Sequence, residues 1–310
     1  MKNPVIECQS LEKSYGSIPV IRDFNLRVEE ISTMGLVGPN GAGKTTLLSL
    51  LCGFIRPTQG QIRIMGMDPQ SAGLKGRIGT LPQGVALQRG IPVYQQLLLF
   101  SRLQGFRGSN ARKEVELVIE TTRSRDLCMQ IPETLSFGQQ KKILLAQALL
   151  GNPEIILLDE PTSGLDPVAA DEVRAVIQQG RGKNTCIVSS HNLDEIKNIC
   201  DDIIVIDKGK LVRHCTIDEL TGKSSCFTIL FENEPDEKLL QSLSATTGVI
   251  QVNSDATNNR RITVHFESDS PGSIQNKLLK LAEEQGAGIV EFNRGSAISQ
   301  RILELVGGQK

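Results

Sequence analysis

Residues 38–46 read Gly-Pro-Asn-Gly-Ala-Gly-Lys-Thr-Thr, and they fit the spacing G-x-x-x-x-G-K-[ST] of a phosphate-cradling loop. Gly38, Gly41 and Gly43 give the backbone access to conformations that a Cβ would forbid. The loop's N–H groups then converge into an anion nest. Lys44 supplies a positive charge for β- and γ-phosphate oxygens, and Thr45 a hydroxyl for Mg²⁺. The flanks agree. Met34-Gly35-Leu36-Val37 is a short apolar run of the kind a buried strand shows, and Thr46–Cys52 reads as a helix closed by Gly53. Strand, glycine loop and helix in that order predict nucleotide binding rather than a bare turn.

Bulk properties bound the remainder. A chain of 310 residues suggests about two domains. The net charge of −1 gives no general electrostatic attraction to nucleic acid, so no nucleic-acid partner is expected. The N-terminal residues lack the apolar core of a signal peptide, and no stretch approaches the ~20 apolar residues of a membrane helix. A protein soluble by itself is therefore expected. The seven cysteines lack C-x-x-C spacing and are expected to be free thiols, mostly buried.

Residues 1–33 alternate apolar and polar positions over Val5–Cys8 and Phe24–Val28, as half-exposed strands do, and Gln61–Met65 and Arg77–Leu81 continue that texture. From about 84 to 150 the pattern turns helical, with Val93, Leu97, Phe100 and Leu103 at helical spacing. Strands return at Ile155–Leu158 and Cys186–Val188, with a helix marked by Val173, Val176 and Ile177 between them. Fully apolar strands alternating with helices predict a mostly parallel α/β sheet covered on both faces. Thr-Gly-Lys-Ser-Ser at 221–225 reads as a linker. It divides an expected domain 1–222 from an accessory α+β domain 226–310. The latter has the order βαββαβ of a ferredoxin-like unit, with a last helix at about 297–306.

Two further segments carry chemistry. Ile155–Leu158 delivers Asp159 and Glu160 to a strand's C-terminal end, where α/β sheets bind ligands. Asp159 is suited to holding Mg²⁺, and Glu160 to polarising an attacking water as general base. Leu135-Ser136-Phe137-Gly138-Gln139-Gln140 precedes a helix expected at Lys141–Leu150, placing Ser136 at an anion-binding helix N-terminus. Local physics alone accounts for Ser136 equally well as an ordinary cap.

Together these segments resemble the ATP-binding subunits of ABC transporters over about residues 4–222. Residues 40–46 look like the Walker A motif, 155–160 like Walker B and 135–139 like the signature usually written LSGGQ. Ser163-Gly164-Leu165-Asp166 matches the D-loop, His191 the switch histidine and Gln83 the Q-loop glutamine, while Tyr15 sits where an aromatic residue stacks on adenine. The resemblance implies a P-loop ATPase domain with antiparallel β and helical subdomains (the latter about 84–150), and ATP and Mg²⁺ as cofactors. Tyr15 and residues Gly38, Pro39, Asn40, Gly41, Ala42, Gly43, Lys44, Thr45 and Thr46 would hold the nucleotide. Thr45, Gln83 and Asp159 would hold the metal, and Glu160, Gln83 and His191 would form the catalytic set. Ser136, Gly138 and Gln139 would complete the site of an opposite subunit. It implies a homodimer, or a heterodimer with a related ATPase, on the cytoplasmic face of the membrane beside integral membrane subunits.

The chain departs from the family pattern at Phe137, which replaces a signature glycine, and at Glu29–Thr33, which lacks the glycine usual before the Walker A strand. Gly90–Phe100, Gly164–Pro167 and a C-terminal domain of this length resemble the multidrug and daunorubicin-type export ATPases, Ser296–Val306 being similar to their closing helix. The alternative class is a soluble regulatory ATPase of the same family. Translation-factor relatives carry two such units, and chromosome-structure relatives a long coiled coil; this chain has neither.

Overall fold

Thr33–Val37 is buried at every position, as a strand covered on both faces must be, and the first unit is organised around it. A computed structural model describes residues 4–221, 226–255, 258–267 and 271–294. The chain divides into two compact units, Met1–His214 and Cys215–Lys310. In chain order the first contains β1 (Ile6–Tyr15), β2 (Ile18–Val28), β3 (Thr33–Val37), α1 (Lys44–Leu51), β4 (Gln59–Ile64), β5 (Ile78–Leu81), α2 (Val93–Leu103), α3 (Gly108–Thr121) and α4 (Phe137–Leu149). It continues with β6 (Ile155–Asp159), α5 (Pro167–Gln179), β7 (Thr185–Ser189), α6 (Leu193–Ile199), β8 (Asp202–Asp207) and β9 (Lys210–Thr216), the last crossing the division between the units.

The six-stranded sheet runs β5-β6-β7-β3-β8-β9, with parallel pairing at β5/β6, β6/β7, β7/β3 and β3/β8. Sequential neighbours are thus separated in space, and the loops after β3, β5, β6 and β7 all emerge at the sheet's C-terminal edge. That edge is where open α/β sheets hold ligands. A second, antiparallel sheet, β2-β1-β4, buries Ile6, Cys8, Leu11, Phe24, Leu26, Ile62 and Ile64 in one core with β3 and α1.

Several sequence expectations shift in detail. Residues 82–92 form no α-helix; α2 starts only at Val93, and it buries Val93 and Leu97 while leaving Leu103 exposed. The helix expected at Lys141 begins four residues earlier, at Phe137, because Ser136 and Gln139 close a reciprocal capping box. The missing glycine at 29–33 costs nothing, since no residue there adopts a positive φ. Instead Asp201 accepts a hydrogen bond from Thr33 N at 3.1 Å, and the Ser32 hydroxyl donates to Asp202.

The second unit contains α7 (Ile217–Thr221), β10 (Cys226–Phe231), α8 (Glu237–Ser244), β11 (Val249–Asp255), β12 (Asn258–Phe266), α9 (Pro271–Glu284) and β13 (Ile289–Arg294). Its sheet order is β11-β12-β10-β13 with antiparallel pairing throughout, which is the ferredoxin-like arrangement. Phe227, Ile229 and Phe231 of β10 pack with Leu239, Leu243, Ile274 and Leu278 from the two long helices. The expected helix at 297–306 lies outside the described residues. Burial pushes the Cys8 and Cys186 thiols up to about 12, which makes them poor nucleophiles. No described helix is long and apolar enough to cross a membrane.

Candidate active site

The loop between β3 and α1 is built by its glycines. Gly41 and Gly43 lie at φ 79° and 107°, in the left-handed region that L side chains rarely adopt. At Gly38 a Cβ would overlap the Ile206 carbonyl of β8. Gly43 caps α1 without any side-chain hydrogen bond, so the first-turn N–H groups of Lys44, Thr45 and Thr46 point out of the helix as free donors. Pro39 O and Ala42 N close the turn at 3.1 Å, leaving Asn40 at its exposed tip. Lys44 is buried and donates through Nζ to Gly38 O at 2.7 Å and Pro39 O at 3.2 Å, bridging the loop's two ends. Burial lowers its pKa, against the opposing pull of Glu160 and Asp159. Gly38→Ala is expected to weaken binding of a fluorescent ATP analogue about tenfold or more (~1.4 kcal/mol) by displacing the loop from β8, measured by titration.

Thr45 and Gln83 come together: Thr45 Oγ1 lies 3.5 Å from Gln83 Oε1. Across the sheet, Asp159 is almost fully buried at the end of β6. Its Oδ1 accepts from the Ser189 hydroxyl at 2.5 Å, while its Oδ2 is buried with no hydrogen-bond partner. A buried carboxylate oxygen left without a partner is costly unless something positive meets it. Asp159, Thr45 and Gln83 present hard oxygen donors only, the set Mg²⁺ prefers, and Mg²⁺ commonly takes one or two carboxylates plus substrate phosphates. Among the described residues no cluster of three His, Cys, Asp or Glu side chains forms a self-sufficient metal site. The donor set therefore fits a metal that arrives with a nucleotide.

Glu160 sits next to Asp159 at φ 48°, an outlier for a non-glycine residue and more so for one preceding a proline. Such strain gathers at functional positions. Its N–H donates to Ser189, with 2.9 Å to the hydroxyl and 3.2 Å to the carbonyl. His191, exposed just beyond β7, places Nδ1 3.3 Å from Glu160 Oε1.

Tyr15 stands exposed at the end of β1, opposite Ile18. The same strand pair reaches the glycine loop further along, where a Cβ on Gly43 would meet Ile21 and Val20 of β2. Lys13 Nζ lies 5.2 Å from the Tyr15 ring centroid.

Ser136, Gly138 and Gln139 lie elsewhere. The Ser136 hydroxyl accepts from Gln139 N at 3.2 Å and the Gln139 side chain from Ser136 N at 2.9 Å. The backbone N–H groups of Phe137 and Gly138 precede any helical acceptor, so this end of α4 keeps donors for an anion. Gly138 is required by packing as well, because a Cβ there would come within 2.9 Å of Ala169 Cβ on α5. The exposed Phe137 ring covers the D-loop: a Cβ on Gly164 would lie 3.1 Å from it. Ser136, Gly138 and Gln139 line a cleft of about 390 Å³ with Asp166, Val168 and Glu172, and no residue of 38–46 borders it. Asp166 itself N-caps α5, accepting from Val168 N and Ala169 N at 3.0 Å each.

Two groups escaped the sequence reading. Ser189 touches both Asp159 and Glu160, and its only sequence signal was its place at the end of an apolar strand, before His191. Lys141 is a buried lysine whose Nζ reaches the Glu160 carbonyl at 3.3 Å.

Comparison with known proteins gives the family. A family model described as ABC transporter covers residues 21–163. NatA of Bacillus subtilis (strain 168), an ABC transporter ATP-binding protein, is 34% identical over 207 residues, covering 66% of this chain and 84% of NatA. The chain belongs to the ABC transporter ATP-binding family. Within that family, YbhF of Escherichia coli (strain K12), described as a probable multidrug ABC transporter ATP-binding protein, is 32% identical over 244 residues, 77% of this chain. The chain spans only 41% of YbhF. The bacitracin transport ATP-binding protein BcrA of Bacillus licheniformis is 28% identical over 309 residues, 98% of each chain. Among solved structures, the bacterial ABC transporter cassette MJ0796, determined as a dimer, superposes with a TM-score of 0.62 at 24% identity, covering 68% of this chain and 98% of that one. This ABC-family fold is thus shared well beyond the range of close sequence similarity.

Proposed function

We propose that this chain hydrolyses ATP as the motor subunit of an exporter, working in pairs and driving separate membrane subunits. The observation that carries the catalytic part is the buried, unpartnered Asp159 Oδ2 beside the strained Glu160, at the same sheet edge as the glycine loop. The loop's free N–H groups and Lys44 would bind the β- and γ-phosphates, and Tyr15 would stack on the base. Asp159, Thr45 and Gln83 would hold Mg²⁺, which when bound neutralises phosphate charge. Glu160 would take a proton from the attacking water, and His191 would orient that carboxylate and reach the γ-phosphate. Phosphoryl transfer of this kind is mainly positioning and charge stabilisation.

Pairing is supported by the placement of Ser136 and the N-terminus of α4 in a cleft that the glycine loop does not border. A second copy, or a related ATPase, would bring that cleft over the nucleotide. The export direction and the membrane partner rest on relatives described as multidrug and bacitracin transport proteins, the latter matching along nearly the whole chain. In that setting the protein would sit on the cytoplasmic face of the membrane. The test is Mg²⁺-dependent phosphate release by the purified chain, then co-purification with the product of a neighbouring membrane-protein gene. Absence of ATP turnover contradicts the catalytic part; turnover without any membrane partner favours a soluble regulatory ATPase.

A further inference from the structure

Lys141 lies on α4, five residues past Ser136, with only 9% of its surface exposed. Burying an ammonium is costly unless a partner meets it. Its neighbour shows the ordinary alternative: Lys142 forms a 2.8 Å ion pair with Glu172. Lys141 instead turns inward and donates to the backbone carbonyl of Glu160 at 3.3 Å. Asp159 and Glu160 both act on its charge, offsetting part of the pKa lowering that burial causes.

The Glu160 backbone needs such support. It holds φ 48° immediately before Pro161, a conformation that costs about 1–3 kcal/mol and survives only when its surroundings over-determine it. On the N–H side Ser189 provides two acceptors. On the carbonyl side two donors converge at 3.3 Å, the Ser163 backbone N–H and Lys141 Nζ, and Lys141 is the charged, side-chain one. Where the backbone of residue 160 points decides where its carboxylate points.

We propose that Lys141 is a positioning residue for Glu160: its buried ammonium holds the Glu160 carbonyl, fixes the carboxylate for proton abstraction, and ties that carboxylate to the helix that begins at Ser136. This rests on the ATPase reading above. The link also gives the α4 N-terminus a direct mechanical path to the base of its own chain. A shift of α4 when its N-terminus meets phosphate would move the donor that holds Glu160.

The test uses the full chain with Lys141→Met, which keeps length and apolar bulk, and Lys141→Arg, which restores a cationic donor. Lys141→Met is expected to lower kcat about tenfold or more. KM and the affinity for a fluorescent ATP analogue should stay within about threefold, since the residue touches no part of the phosphate loop. Lys141→Arg should recover most of the loss. Lys141→Leu, which likewise has no donor, is the substitute if the methionine variant fails to fold, with the same kcat-selective loss expected. The proposal is overturned if Lys141→Met turns over like the parent chain. It is equally overturned if nucleotide affinity and melting temperature fall in step with kcat, or if arginine gives no recovery. A parent chain with no ATP turnover would instead refute the ATPase reading itself.

Discussion

Glu160→Gln is expected to lower ATP turnover by about 100- to 10,000-fold, the range that a general base contributes, while nucleotide binding survives. The substitution keeps the shape of the side chain and removes only its ability to accept a proton. The backbone contacts that hold residue 160 remain, because Ser189 meets its N–H, and Ser163 N and Lys141 meet its carbonyl. The loop at 38–46 is not touched. Phosphate release measured at saturating Mg²⁺–ATP reads the loss, and titration of an ATP analogue reads the retained binding. Turnover equal to that of the parent chain would remove Glu160 from its assigned role.

Lys44→Ala should do the reverse and strike binding first. Lys44 bridges Gly38 and Pro39 from a buried position, so its ammonium is held where the loop's N–H groups converge. A hydrogen bond to a charged group is worth about 1.5–3 kcal/mol, which corresponds to a loss of affinity of about 10- to 150-fold. Removing the bridge also releases the loop ends from each other, which adds to the loss. Lys44→Arg is not expected to restore binding, since a planar guanidinium cannot replace a compact ammonium in so closed a space. The measurement is the same analogue titration, with thermal melting as the control for folding.

The nucleotide loop was legible because Gly41 and Gly43 answer a local backbone demand for positive φ, whereas Gly38 is required by its contact with β8. Met34–Val37 was legible as a strand because, apolar at every position, it has only one way to be buried; the structure adds Thr33 to it. The β10–β13 unit followed from alternation, as at Ile262, Val264 and Phe266, all of which are buried. What escaped depends on register and packing. Ser189 gains meaning only because β6 and β7 pair in parallel with Asp159 opposite Ser189. Lys141 gains it because α4 passes beneath the end of β6, a contact between residues 19 positions apart that no periodicity encodes. The start of α4 was misplaced because Gln139 reads as part of a loop until its side chain is seen to cap Ser136. The strand Asp202–Asp207 was not read from the sequence, although its run Ile203-Ile204-Val205-Ile206 is wholly apolar. Its role in the site, as the wall that forbids a Cβ at Gly38, did not show in the sequence.

A second chain completing the site is tested most directly by the molar mass of the Glu160→Gln protein by light scattering, with and without Mg²⁺–ATP. The mass of one chain is expected without nucleotide and of two with ATP, the shift being abolished when Lys44→Ala is added. A single-chain mass at saturating ATP, together with parent turnover per chain that does not change with protein concentration, would contradict it.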